Sequence, residues 1–257
     1  MNKEDLLEYD RSRTLINKEN LLKNKNLLYW YENLYKTQFS GIEDLPGKAI
    51  LEIGSGTSPL KHFYGHAITS DIMDLGYLDH RFDCHLIDRY ADIADGTIDI
   101  ITMTNVLHHL QDPLACLAKF SVKLKKGGVV IMTEPYFSVL SKIIYKYLHH
   151  EPSIFDIDAP VLKDAKGPLS SSNMAIPYML FFSGKGWDKS LTDLYDFSRD
   201  DVIYYSALSY MATGGISRRI PIPGFLYKPF FNLDRFLAKK FPKVLSSFFI
   251  IRMVKKG

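Results

Sequence analysis

Apolar positions in the first 40 residues recur near a helical interval: Leu6, Leu7, Leu15, Ile16, Leu21, Leu22, Leu27, Leu28, Tyr31 and Leu34, with polar residues between them. That spacing predicts helix from about residue 4 to 37, an amphipathic cap. Gly41 to Gly47, with Pro46, punctuates its end. The period then changes. Short apolar runs of strand type fall at residues 48–53, at Ala67 to Ser70 ending in Asp71, at Cys84 to Ile87 ending in Asp88, at Ile98 to Met103 and at Val129 to Thr133. Between the last two, Asp112-Pro113 gives a helix start, residues 114–126 an apolar helix face, and Gly127-Gly128 a stop. Strands alternating with helices pair in parallel, so the pattern predicts an α/β sheet. From about Phe137 to Asp200 the regularity is lost, which reads as an insertion over the sheet. Apolar residues resume at Val202 to Met211, a Gly214-Gly215 turn follows, and Ser246 to Val254 reads as a closing strand.

With 257 residues, 46% hydrophobic and 24% charged, the composition is that of a globular protein and the length suits one domain, 1–257, with decorations. Its segments are a cap at 1–40, a core at 48–135, an insertion at 137–200 and closing strands with a basic helix at 201–257. The charged amino terminus and the shortness of every apolar run disfavour secretion and membrane spanning, which predicts a cytoplasmic location. Cys84 and Cys116 are the two cysteines, without CxxC spacing, so neither a disulfide framework nor a metal site is expected.

The net charge of +3 is uneven: from Ile216 onward ten Lys and Arg face one acid, so the tail carries +9 and the rest −6. Phe230, Leu233, Phe236, Leu237 and Phe241 recur at near-helical intervals beside Lys239, Lys240 and Lys243. Two readings stand for residues 225–243. The segment lies on the inner face of an anionic membrane or grips a lipid-linked phosphate, or its aromatics cover the sheet or a dimer contact and the lysines face water.

The stretch AILEIGSGTSPL, residues 49–60, runs from a strand into Gly54-Ser55-Gly56. A glycine turn at the carboxyl end of the first strand lets a nucleotide-like cofactor approach the backbone. Glu52 is placed to bind a cationic amine, Asp71 at the end of the second strand to accept both hydroxyls of a ribose, and Asp88 to meet the exocyclic amine of adenine. Pro59 stands where the dinucleotide fingerprint has its third glycine, which counts against a nicotinamide enzyme.

Residues 48–135 resemble the class I S-adenosylmethionine-dependent methyltransferases. LEIGSG is similar to the family's first motif, SDIMD to its second-strand acid, DGTIDIITMTNVLHHLQDP to its fourth strand and following helix, and LKKGGVVIMTEP to its fifth-strand motif. The resemblance implies a doubly wound, mostly parallel seven-stranded sheet of the Rossmann-like methyltransferase type, with the helical cap in front and the insertion after the fifth strand. It implies S-adenosylmethionine as cofactor, held by Glu52, Gly54, Ser55, Gly56, Asp71, Ile72 and Asp88, with Asn105 near the methyl group. The first helix looks about one turn shorter than is usual in the family.

Asn105 lacks the Pro-Pro-Tyr that follows it in amino-directed nucleic-acid methyltransferases, and no cysteine nucleophile is in place, so DNA is not the expected partner. The expected acceptor is a small molecule or saccharide, methylated at oxygen. The rivals are a lipid or quinone-like acceptor at the membrane, and a catalytically silent cofactor-binding protein. A base near the methyl group helps when the nucleophile is a hydroxyl, which makes His109, His149 and His150 the catalytic candidates beside His108. Tyr29, Trp30, Tyr31 and Tyr35 either close over the site or pack onto the core.

Overall fold

The computed structural model describes residues 3–163, 165–216 and 220–257; Arg218 and Arg219, two of the cations counted in the tail, lie outside them. The predicted single helix is two: α1 (Lys3–Lys23) and α2 (Lys25–Gln38). Asn24 separates them because its backbone is extended and its side chain caps α2 by accepting from the Leu27 amide, a local hydrogen bond that competes with continuing the helix. Nor is α1 amphipathic in the expected sense. Its buried face is Asp10, Thr14, Asn17 and Leu21, three of them polar, while Leu7 and Ile16 face outward.

The chain then alternates through β1 (Ile50–Ile53), α3 (Leu60–Phe63), β2 (Ile68–Asp71), β3 (His80–Arg81), β4 (Ile98–Thr104), α4 (Pro113–Lys123) and β5 (Leu124–Pro135). α3 is a single turn, as the short spacing predicts. The third strand is His80–Arg81, pairing with Ser70 and Asp71. The run expected there, Cys84 to Ile87, is instead a 3-10 helix from Cys84 to Arg89, started by the Asp83 side chain accepting from the His85 amide. α4 begins as predicted, with Asp112 accepting from the Ala115 amide. Its stop is not the glycine pair: the helix ends at Lys123, and Gly127 and Gly128 lie inside the long β5, where the pairing with β4 shifts register between Ile98 and Ile100. Gly127 has φ +73°, which suits a bulge.

The insertion is more regular than its sequence suggests, with α5 (Val139–Tyr147), α6 (Ala175–Phe182) and β6 (Tyr195–Asp196). β7 (Ile203–Tyr205), α7 (Ser209–Ala212), α8 (Gly224–Lys240), α9 (Pro242–Leu245) and β8 (Phe248–Lys255) complete the fold. Strand order is β3-β2-β1-β4-β5-β8-β6, with β7 beside β6 on the same edge of β8. β1 to β5 pair in parallel, and β8 runs antiparallel to β5, β6 and β7. The two short strands share the seventh place in the sheet.

Period-two alternation sends Leu51, Ile101, Val130 and Ile251 to one core with α4 and α6, and Ile50, Ile100, Ile131 and Ile250 to another with α2 and α8. Both faces are buried, as a parallel sheet requires. Trp30 sits wholly inside the second core against Tyr205, Tyr210 and Phe248, and Tyr29 meets Tyr227 and Phe231, so these aromatics pack rather than close a lid. Among the described residues no helix is long and apolar enough to cross a membrane.

Candidate active site

β1 delivers its last residues into the turn Gly54-Ser55-Gly56. Gly54 has φ +70°, and a Cβ there would lie 2.5 Å from the Val106 side chain, so only glycine fits. Ser55 locks the turn to β2: its amide donates to the Ser70 carbonyl at 2.9 Å and its hydroxyl accepts from the Ser70 amide at 3.1 Å. That hydroxyl is committed to the fold. Asp71 ends β2, with Oδ2 accepting from the Gly56 amide at 3.1 Å and Oδ1 from the Met73 amide at 3.0 Å. Burial raises its pKa, opposed by these amides. Lone pairs remain on both oxygens for two further donors. Ile72, 44% exposed, follows at the rim.

Glu52 is buried. Oε1 accepts from the Ser58 hydroxyl, which also meets the Tyr35 hydroxyl at 2.8 Å, while Oε2 is buried with no hydrogen-bond partner. Burial pushes its pKa up to about 7, against the pull of the Ser58 and Ser55 hydrogen bonds and Lys18. Above the turn lies α1, with the Thr14 methyl 3.0 Å from where a Gly56 Cβ would stand. Arg11 donates to the Asp74 carbonyl at 2.7 Å, and Asp10 accepts from Leu169, Ser170 and the Ser170 hydroxyl. The polar face of α1 therefore joins the β2–β3 loop to the insertion across the glycine turn.

Asp88 ends no strand, because its segment is a 3-10 helix; its Oδ1 is buried without a hydrogen-bond partner, 3.5 Å from the Lys119 ammonium. Asp83, two residues past β3, lies nearer that strand's end, its side chain accepting from the His85 amide.

β4 leads to Asn105, whose φ of +56° is an uncommon, strained conformation for a side-chain-bearing residue; its Oδ1 is buried without a partner. Val106 and Leu107 donate their amides to Glu134 Oε1 at 2.8 and 2.7 Å. Glu134 Oε2 holds His108 Nδ1 at 2.6 Å, and on the other side of the ring Nε2 lies 3.1 Å from Glu151 Oε2. Burial opposes a charge on His108, but the two carboxylates outweigh it and raise its pKa to about 10. Glu151 is held well below the usual carboxylate range because His108 outweighs its burial.

His109 lies tilted against His108, with ring centroids 4.3 Å apart. Nδ1 lies 2.9 Å from the Ser171 carbonyl and Nε2 3.9 Å from Glu151 Oε2. Burial and the charge on His108 push its pKa down to about 4. His149 is turned toward its own turn, Nδ1 accepting from the Glu151 amide at 3.3 Å, and His150 is exposed and stacked on it. Of the three predicted histidines, the fold brings only the ring of His109 into the cluster. Sequence reasoning assigned no role to Glu134 or Glu151, which lie 26 and 43 positions from His108.

The methyltransferase-domain family matches residues 30–194, more than half of the chain. A methyltransferase of Aspergillus aculeatus, AacuQ, is 28% identical over 114 residues, covering 39% of this chain and 34% of that protein's length. A SAM-dependent methyltransferase from Thermotoga maritima superposes with a TM-score of 0.50 at 14% identity, covering 94% of this chain and 99% of the other. A methyltransferase solved with the Haloferax volcanii Trm112 methyltransferase activator gives 0.50 at 10% identity, covering 91% and 93%. The last two likenesses are of fold.

The residues fit the cofactor such a family uses. Gly54 leaves the turn open where a Cβ would clash, Asp71 keeps acceptor capacity for a ribose, and the unpartnered oxygens of Glu52 and Asn105 offer acceptors for an amine. From its sheet order, its glycine turn and its family match, this chain belongs to the class I S-adenosylmethionine-dependent methyltransferases.

Proposed function

We propose that this chain carries the methyl group of S-adenosylmethionine to an oxygen of a small-molecule or glycan-type acceptor held over His108, His109 and Glu151. The cofactor supplies a methyl carbon activated on a cationic sulfur. Gly54, Gly56, Asp71 and Glu52 would hold it at the strand ends, and Asn105 to His109 run from there to the cluster. Bound there, the cofactor would offer its methyl carbon to the acceptor oxygen, the sulfur keeping the electron pair of the bond given up. The hydroxyl proton goes to His109.

One observation carries this reading. A carbonyl oxygen only accepts, so the contact with Ser171 fixes the proton of His109 on Nδ1 and leaves a lone pair on Nε2. With its pKa near 4 the ring is neutral at physiological pH. A positioned base contributes about 10²–10⁴ in rate, at the low end for a ring whose pKa lies this far below neutral, and alignment with exclusion of water contributes more. S-adenosylhomocysteine release should therefore be screened with hydroxyl acceptors, and His109→Gln should lower kcat about 100-fold with cofactor affinity kept. Methylation only of carbon or nitrogen acceptors, or an unimpaired variant, would refute the reading. Cofactor binding with no turnover on any acceptor would favour a silent binding protein.

A second reading, a lipid-type acceptor reached at a membrane, is favoured by one surface. Leu233 and Phe236 of α8 are 56% and 62% exposed, and Phe241, Val244, Ile143 and Tyr147 also face outward; α9 packs between α8 and α5. Lys239, Lys240 and Lys243 flank this face, whereas the acid of α8, Asp234, is buried, taking amides of Ala207, Leu208 and Ser209. The aromatics that the sequence left free to cover the sheet are thus partly outward, a pattern suited to anionic lipid. Co-sedimentation with anionic but not neutral vesicles, lost in Leu233→Ser/Phe236→Ser, would support it; equal recovery of the wild type without vesicles would remove it.

A further inference from the structure

His108, His109 and Glu151 each bring one ligand-type atom to within 4.8 Å of the others, and Nε2 of both rings faces Glu151 Oε2. Each histidine is also tied from behind, His108 Nδ1 to Glu134 at 2.6 Å and His109 Nδ1 to the Ser171 carbonyl at 2.9 Å. Metal-binding histidines are oriented in this way: the remote ring N–H goes to a carboxylate or a backbone carbonyl, which fixes the tautomer and aims the other nitrogen. Glu134 is itself fixed by the Val106 and Leu107 amides.

We propose that His108, His109 and Glu151 form a binding site for one divalent transition-metal ion of the zinc class, with a coordination position left for water or acceptor oxygen. Three protein ligands of the His-His-Glu set with an open fourth place are what catalytic zinc sites use. At zinc bond lengths of roughly 2.0–2.2 Å, tetrahedral ligand atoms stand about 3.4 Å apart. Glu151 Oε2 and His108 Nε2 are at 3.1 Å and Glu151 Oε2 and His109 Nε2 at 3.9 Å, so modest closure reaches that geometry. The proton now shared between His108 and Glu151 leaves to solvent when the ion enters, because the ligand must be the neutral ring.

In the sequence the adjacent histidines alone hint at this site, since Glu151 lies 43 positions from His108 and no ligand-spacing motif connects them. The inference goes beyond the oxygen-methylation reading and, in the metal-loaded protein, replaces its base: an ion would occupy the lone pair that His109 uses in the metal-free protein and would acidify a coordinated hydroxyl instead.

The test uses the full chain, freed of metal by dialysis against a chelator and titrated with Co²⁺, then with Zn²⁺. One Co²⁺ per chain should bind with the visible absorption of a nitrogen- and oxygen-ligated four- or five-coordinate ion, and Zn²⁺ should displace it. Glu151→Gln and His109→Gln should abolish saturable binding. Glu134→Gln, which leaves all three ligands in place, should weaken it about 10- to 100-fold. No saturable absorption, or equal affinity in Glu151→Gln, would overturn the proposal and leave the cluster an ion triad only. A sulfur-to-metal charge-transfer band would also overturn it, placing the ion on the other cluster of the described residues, Asp83, Cys84 and His85. Metal binding is read here without turnover, so its failure and a failure of oxygen methylation are separate results.

Discussion

Replacing Glu134 by glutamine, in chelator-treated protein, should change stability in a pH-dependent way. The amide oxygen can still accept from Val106 and Leu107, while its NH₂ faces His108 Nδ1 and demands a lone pair there. His108 then keeps its proton on Nε2 toward Glu151 and loses its positive charge. In the wild type, the rise from 6.5 to about 10 corresponds to roughly 5 kcal/mol at 1.36 kcal/mol per pKa unit, shared between two carboxylates. Taking half as the share of Glu134 gives a loss of about 2–3 kcal/mol at pH 7. A histidine with a raised folded pKa stabilises fully below its unfolded value and loses that contribution as pH rises through the folded one. The wild type should therefore lose unfolding free energy between about pH 6.5 and 10, by at most about 1.4 kcal/mol per pH unit from this group. The variant should lose less, so the gap between the two should narrow as pH rises. Urea unfolding of both proteins at pH 7, 8 and 9 measures this. A gap that stays constant over that range would refute a charged His108 held by Glu134.

Other outcomes follow from the cofactor side. Asp71→Ala should weaken S-adenosylmethionine binding by about 1.5–3 kcal/mol if two charge-assisted hydrogen bonds to ribose are lost; calorimetry on the folded variant checks it. Gly54→Ala should lose at least about 1–2 kcal/mol of stability from its positive φ alone, plus the clash with Val106, seen as a lower Tm with cofactor binding impaired. Glu52, with its pKa raised from 4.5 to about 7 by burial, costs stability as pH rises across that window, by about 3 kcal/mol in total. Its ionised form is what an amine needs, so cofactor affinity should rise with pH through about 7 and lose that dependence in Glu52→Gln.

What was legible in the sequence is what local physics writes there. The run into Gly54 and Gly56, the carboxylate of Asp71, the Asp112 cap and the apolar alternation of β4 and β8 each depend on neighbours in the chain. The third strand escaped because His80–Arg81 is two polar residues long, and the more apolar segment beyond it is turned into a 3-10 helix by Asp83. Asn24 reads as one more polar residue of a long helix until its extended backbone and its bond to Leu27 are seen. Asp88, read as ending that strand, lies in the 3-10 helix. The histidine cluster is a product of tertiary structure: β5 brings Glu134, the insertion brings Glu151 and the Ser171 carbonyl, and no periodicity links them. A pair of adjacent histidines could suggest a site, but only the fold shows that His108 is held between carboxylates and that His109 keeps a lone pair.

Calorimetric titration of the purified chain with S-adenosylmethionine, S-adenosylhomocysteine and NAD in parallel tests the central claim most directly. One saturable site per chain is expected for the first two, with no heat of binding for NAD. Binding of NAD with neither of the others would contradict the assignment of the Gly54 turn and Asp71 to a methyl-donor cofactor.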